Sequence, residues 1–231
     1  MNRRCLVIIG SLLALTLILA ACGESEPSET VIQGQELLSV TFDQPGSWEE
    51  GTYPTDAATP DSTLAISGGR YRIDLQAGQS ASFTWGAGGG RYENAVIEVD
   101  AEQLSSEKNN LYGVACRLAT DGQGETTGYV LLISGDGHYG IAELTNNALS
   151  FLLEWHQSGT IRQGRASNRI RAVCVDNTLA IYANGKFLGQ VENADFRRAA
   201  QVGLVAGVTK GEAVSVAFDN LAVYEGTLSE K

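Results

Sequence analysis

After Glu36 no stretch of the chain carries the three-and-four spacing of apolar residues that marks an amphipathic helix, which argues against helical bundles and alternating α/β folds. Basic residues are scarce as well: 16 Lys and Arg face 27 Asp and Glu, a formal net charge of −11. Such a surface repels phosphate backbones and anionic headgroups, so nucleic acid is not an expected partner. The chain has two histidines, His138 and His156, and neither has metal-ligand spacing to a cysteine, so no zinc site is expected. No G-x-S-x-G elbow occurs, and His156 has no Ser or Cys nucleophile in its sequence context, so a hydrolase triad finds no support. No internal repeat of fixed period is present.

What the chain does have begins at its N-terminus. Met1-Asn2-Arg3-Arg4 is a short positive region, and residues 5–21 form an uncharged run rich in Leu and Ile. That run is shorter than the ~20 residues a bilayer core needs, and Glu24 and Glu26 follow it where a basic stop-transfer flank would stand. It ends Leu19-Ala20-Ala21-Cys22, which looks like a lipobox: small residues before a cleavage point, then a cysteine to receive lipid. The expectation is a bacterial lipoprotein with signal peptide 1–21 and lipidated Cys22, anchored in the cell envelope outside the cytoplasmic membrane. Gly23 leaves no Asp there to suggest retention at an inner membrane. Residues 22–36 are polar and acidic and read as a flexible tether. Residues 37–226, about 190, are one domain with a real core, and 227–231 are a tail. Loss of Arg3 and Arg4 takes the basic count from 16 to 14 against 27 acids, a formal −13.

Of four cysteines, Cys5 leaves with the signal and Cys22 takes the lipid. Cys116 and Cys174 remain, and an even number in an extracytoplasmic domain favours a disulfide. Val114, Cys116 and Leu118 share one face of a predicted strand, and Ile170, Ala172 and Cys174 share one face of another. Their apolar neighbours mark both as core faces, so the sulfurs can meet inside.

The folded part reads as short runs of alternating polarity broken by Gly, Asn, Asp and Ser: 37–43, 71–76, 80–85, 95–103, 111–119, 128–134, 139–144, 149–155, 169–176, 179–183, 187–192, 201–208 and 213–224. Ser134-Gly135-Asp136-Gly137-His138 and Tyr182-Ala183-Asn184-Gly185-Lys186 carry hairpin-turn chemistry. Twenty-seven glycines and four prolines suit many strands joined by tight turns. The pattern predicts an all-β domain of two packed antiparallel sheets, a sandwich or jelly roll.

The segment from Asn168 to Lys186 (NRIRAVCVDNTLAIYANGK) resembles the two-strand signature of concanavalin A-like, laminin G-like jelly rolls. Val202-Gly203-Leu204-Val205-Ala206 and Val216-Ala217-Phe218-Asp219-Asn220-Leu221 are similar to their closing pair, and Val40-Thr41-Phe42-Asp43 with Trp48 to their first strand. The resemblance spans nearly all of 37–226. It implies a carbohydrate-binding or adhesion module, with a glycan or another envelope surface as partner. Relatives labelled 3-keto-disaccharide hydrolase-like keep an enzyme in view.

Glu98-Val99-Asp100-Ala101-Glu102 puts three acids on one face of a strand, with Ile97, Val99 and Ala101 on the other. Family 16 glycoside hydrolases, which share this fold, place their catalytic carboxylates in a similar E-x-D-x-E strand, so Glu98, Asp100 and Glu102 are the alternative catalytic set. Glu93-Asn94-Ala95-Val96 precedes it in place of the aromatic and glycine-rich surroundings usual there, so we read the acids as a solvated face available to a ligand. Arg117 alternates with Cys116 and Leu118 on the next predicted strand and is placed on the side of Glu98, for a ligand or for a cross-strand acid. Among the tryptophans, Trp48 and Trp155 read as packing residues. Trp85, beside Gly86-Ala87-Gly88-Gly89-Gly90, reads as the exposed stacking platform. Asp121-Gly-Gln-Gly-Glu125 and Asp136-Gly-His138 offer oxygens to calcium, but neither has the ligand count of an EF-hand loop and Asp-Gly is equally a turn. No metal or cofactor is assigned.

Overall fold

The computed structural model describes residues 26–44, 46–54 and 61–229. The signal peptide 1–21 and Cys22 lie outside the described residues. Fifteen strands are present among the described residues: β1 (Val31–Val40), β2 (Gly51–Tyr53), β3 (Ser62–Ser67), β4 (Arg70–Gln76), β5 (Ser82–Tyr92), β6 (Ala95–Gln103), β7 (Asn110–Thr120), β8 (Thr126–Ile133), β9 (His138–Thr145), β10 (Ala148–Gln157), β11 (Ser167–Val175), β12 (Thr178–Ala183), β13 (Lys186–Glu192), β14 (Ala200–Val208) and β15 (Ala213–Leu228). No helix occurs among the described residues. A nine-stranded sheet runs β13-β12-β11-β6-β15-β4-β3-β2 with β1 also on β15, and a six-stranded sheet runs β10-β9-β8-β7-β14-β5. All pairings are antiparallel. The molecule is the expected all-β sandwich, a concanavalin A-like jelly roll.

Period-two alternation creates the core. On β6, Ile97, Val99 and Ala101 are fully buried between the sheets while Glu98, Asp100 and Glu102 point outward. Val114 and Cys116 of β7, Leu131 and Ile133 of β8, and Ile170, Ala172 and Cys174 of β11 fill the same interior. The disulfide Cys116–Cys174 crosses it, joining β7 of one sheet to β11 of the other. At one end Phe42, Trp48 and Tyr71 pack as a ring cluster with centroids 5.5–5.6 Å apart, so Trp48 is a packing residue as expected. The glycine run after Trp85 serves this cluster. A Cβ on Gly86 would strike the Tyr71 hydroxyl, and one on Gly88 would come 2.7 Å from the Trp48 ring. Read as a break in the sequence, these glycines lie inside β5.

The resemblance motif has a physical basis in two asparagines. Asn168, buried at the start of β11, accepts from the Asn184 side chain at 2.8 Å, and its own amide donates to the Tyr112 hydroxyl at 3.2 Å. Burial pushes that hydroxyl up to about 12, against the lowering effect of the Asn168 hydrogen bond. Asn184 and Gly185 hold φ of 51° and 81°, as the tight β12–β13 turn requires.

Three boundaries differ from expectation. Residues 31–36, taken as tether, belong to β1 and pair with β15 from Leu228 to Tyr224. Residues 227 and 228, taken as tail, are the β15 side of that pairing. Strands β2 and β3 were not anticipated; they extend the nine-stranded sheet beyond β4.

Candidate functional site

The two outer faces of the sandwich differ in kind. The outer face of the nine-stranded sheet is ionic along β4, β6 and β11, beside an apolar patch of Val96, Val173, Val175 and Ala180. Glu98 accepts from Arg169 at 3.0 Å and lies 3.9 Å from the Arg171 guanidinium, while Asp100 meets Arg169 at 3.1 Å and accepts from Asn220 at 2.9 Å. Glu102 pairs with Arg70, and Asp74 with Arg72. Partial burial alone would lower the Arg169 pKa, but the hydrogen bonds and charges of Glu98 and Asp100 outweigh it and raise it. One cation thus bridges both acids of the proposed catalytic pair. Acid and nucleophile roles need two carboxyls in unlike surroundings, and here both lie against the same guanidinium.

Arg117 is not where alternation put it. It stands on β7 of the six-stranded sheet, whereas Glu98 is on the nine-stranded one. A bulge between Cys116 and Ala119, with Arg117 at φ 54°, turns the side chain into the protein, where it is 3% exposed. Its guanidinium donates to the Glu93 carbonyl (2.8 Å), the Phe196 carbonyl (3.0 Å) and Asn94 Oδ1 (3.3 Å). Arg117 therefore ties loops together and is not a ligand-facing residue.

The outer face of the six-stranded sheet is apolar. Ala115, Leu118, Val130, Leu132, Ala142, Leu144 and Val205 point away from the main core yet are buried, covered by a second set of side chains. Phe83 and Trp85 stand on edge strand β5, their rings 5.6 Å apart, and Phe151 and Trp155 stand on the opposite edge strand β10, 5.2 Å apart. A cleft of about 670 Å³ opens on this face, lined by Phe83, Leu111, Leu149 and Trp155 and by the polar residues Asn109, Asn110, Ser134, Asp136, His138 and Asn147. Among the described residues no lysine or arginine lines it.

The polar end of the cleft is the β8–β9 hairpin. Asn110 Oδ1 accepts from Gly135 N at 3.0 Å and fixes the turn, and Gly137 at φ 89° closes it. Ser134 Oγ hydrogen-bonds Asp136, whose carboxylate also meets His138 Nδ1 at 2.9 Å. Burial opposes ionisation of Asp136, but hydrogen bonds from Ser134 and His138, with the charge of His138, hold its carboxyl below the usual range. Here the acid sits between serine and histidine. A nucleophilic triad needs the histidine between, taking the serine proton, so this group can orient a ligand but does not activate Ser134.

The remaining candidates fall into place around the cleft. Trp85 lies on its sheet face, half-buried against Phe83, beside the cleft lining and outside it. Trp155, expected to be a packing residue, lines the cleft. Asp121 Oδ1 accepts from the backbone of Gln123 (2.8 Å) and Glu125 (3.0 Å), which is turn chemistry. Among the described residues no group of three or more His, Cys, Asp or Glu is close enough to hold a metal ion. The cleft was legible in one signal that alternation obscured: Tyr129-Val130-Leu131-Leu132-Ile133 is a continuous apolar run, the mark of a strand covered on both faces.

No protein-family model matches the chain, and no curated protein matches it in sequence. Solved structures do match in shape. The carbohydrate-binding module CBM66 from Bacillus subtilis superposes with a TM-score of 0.56 at 13% identity, over 78% of this chain and 96% of that one. A Bacillus subtilis protein of unknown function with a galectin-like fold gives 0.63 at 7% identity, over 86% and 99%. A Bacillus licheniformis beta-glucanase gives 0.58 at 10% identity, over 83% and 98%.

Proposed function

We propose that this chain is a carbohydrate-binding protein, held on the cell envelope by lipid on Cys22, whose ligand is a neutral glycan taken into the cleft of the six-stranded sheet. The observation that carries the reading is the cleft itself: Phe83 and Trp155 offer ring surfaces to the apolar faces of sugars, and Asn109, Asp136 and His138 offer donors and acceptors for hydroxyls. With no lysine or arginine among the described residues in its lining, and with the charge of His138 met by an ionised Asp136, the cleft does not favour uronic, sialylated or sulfated glycans. The fold it shares with a carbohydrate-binding module and a beta-glucanase supports a sugar as ligand.

A glycan array probed with residues 26–231 tests this. Neutral oligosaccharides are expected to bind. Trp155→Ala should weaken the hit about tenfold or more, the loss of ~1.4 kcal/mol or more of ring contact, with little change in melting temperature. An array without hits, or a hit indifferent to Trp155→Ala, would sink the reading.

The enzyme alternative has its own test. The wild type is expected to release no reducing sugar from laminarin or lichenan, and Glu98→Gln should cost under about 1 kcal/mol of stability because its ion pair is partly exposed. Turnover that disappears in Glu98→Gln would promote the glycoside hydrolase. For the anchor, Cys22→Ala should leave the chain unprocessed or released, and an intact mass showing no lipid on wild-type Cys22 would refute it.

A further inference from the structure

The segment entering β1 is fastened to the domain rather than leading loosely into it. Glu29 accepts from Thr178 at 2.9 Å, and Thr178 is fully buried; Ser28 accepts from Gln190 at 2.7 Å; Ser229 N donates to the Thr30 carbonyl at 2.9 Å. Thr178 and Gln190 stand on β12 and β13, on the outward side of the nine-stranded sheet, since their neighbours Leu179 and Val191 face the core. The paired ends of β1 and β15 fold over the same face. Val31, Tyr224 and Leu228 pack there on Val96, Val173, Val175 and Ala180, and Gly226 lies so close to Val175 that a Cβ would collide with it. The segment from Ser28 to Val31, with the end of β15, is therefore a strap across the outer face of the nine-stranded sheet, opposite the cleft, while Leu38 and Val40 farther along β1 pack into the main core.

We propose that this strap lays the nine-stranded sheet against a phospholipid bilayer and turns the cleft away from it. The proposal rests on the reading of Cys22 as the lipidated residue. Six residue steps separate Cys22 from Ser28, and an extended chain covers at most ~3.6 Å per residue, so the docked segment lies within about 20 Å of the acylated cysteine. A tether free to residue 36 would reach about 50 Å on the same scale. Two further features fit a lipid surface. The exposed large hydrophobic residues among those described, Ile32 at 53% and Leu37 at 44%, both stand on β1, next to the anchor. The ionic ladder beside the strap matches Arg70, Arg72, Arg169 and Arg171 with Glu102, Asp74, Glu98 and Asp100, so these eight side chains add no net charge next to it. The amphipathic edge of β1 can then enter the headgroup region while the acidic remainder stays in solvent.

The test uses the full, processed chain in phosphatidylcholine vesicles containing brominated lipid, which quenches nearby tryptophan. The wild-type tryptophans, Trp48 in the core and Trp85 and Trp155 on the far face, should keep their emission. Leu37→Trp and Ile32→Trp should each add emission that the bromolipid quenches at least twofold. Thr178→Val with Glu29→Gln, which unfastens the segment ahead of β1, should speed amide exchange at 29–33 and weaken the extra quenching of Ile32→Trp. Lipidated protein whose Trp at position 37 is as unquenched as the wild type overturns the proposal and leaves the anchor standing. Quenching of the wild-type emission overturns it too, because the cleft would then face the bilayer. A chain that carries no lipid on Cys22 by intact mass overturns the anchor reading and this proposal together, and the exchange at 29–33 still reports whether the strap is docked.

Discussion

The chain carrying Cys116→Ala with Cys174→Ala is expected to unfold with a free energy about 4 kcal/mol lower than the oxidised wild type, by the loop-closure entropy of a 58-residue separation. The bridge is the one side-chain covalent tie between the two sheets among the described residues, running from β7 to β11 through the core with its Cα atoms 6.7 Å apart. Cleaving it gives the unfolded chain back its freedom and leaves the sheets held by side-chain packing and by the backbone that crosses between them. Both sulfurs are buried, so truncation also removes packed atoms from the interior. Urea unfolding of the double variant and of wild type with and without reductant makes the comparison. Reduced wild type should approach the variant, and a midpoint within the equivalent of about 1 kcal/mol of the oxidised protein would show the bridge to be structurally idle. Two free thiols in the purified, air-handled domain would deny the bridge itself.

Arg117→Met is expected to cost about 3 kcal/mol, within the range for removing one partner of a buried charged hydrogen-bond set. Burial pushes the guanidinium below its ordinary pKa, and Tyr129, Glu93 and Asp176 act in the other direction, against Arg197. Methionine fills much of the volume but abandons the Glu93 and Phe196 carbonyls and Asn94 Oδ1, three acceptors on segments flanking β6 and β14. Arg117→Lys should recover less than half of the loss, because a single ammonium does not present a planar fork to three separate oxygens. Equal stability of Arg117→Lys and wild type in urea would mean that charge, not geometry, is what the site requires.

The fold was readable from local chemistry because most strands bury only one face. On β6 the alternation of Ile97, Val99 and Ala101 with Glu98, Asp100 and Glu102 places every side chain correctly. The same reasoning failed at Arg117, where one bulge and one positive φ shift the side chain from the position that parity assigns. It failed again at Gly86 to Gly90, because the need for glycine comes from Tyr71 and Trp48, and at 31–36, where the polar strand is fixed by β15 nearly two hundred residues away. The acids were the conspicuous feature of the sequence, yet they became a surface ion-pair ladder. The cleft was inconspicuous, since its walls come from β5 and β10 at opposite edges of one sheet, and only folding brings Phe83 and Trp155 to a common hollow.

The side chains that form this hollow belong to an apolar layer of their own, separated from the main interior by the backbone of the six-stranded sheet. A substitution at Phe83, Leu149 or Trp155 removes contacts within that layer and leaves Val114, Leu131 and Ile141 in place. Ligand choice and foldedness can consequently drift on separate schedules: a lineage carrying this scaffold can explore new recognition chemistry on one side while selection for stability acts on the other.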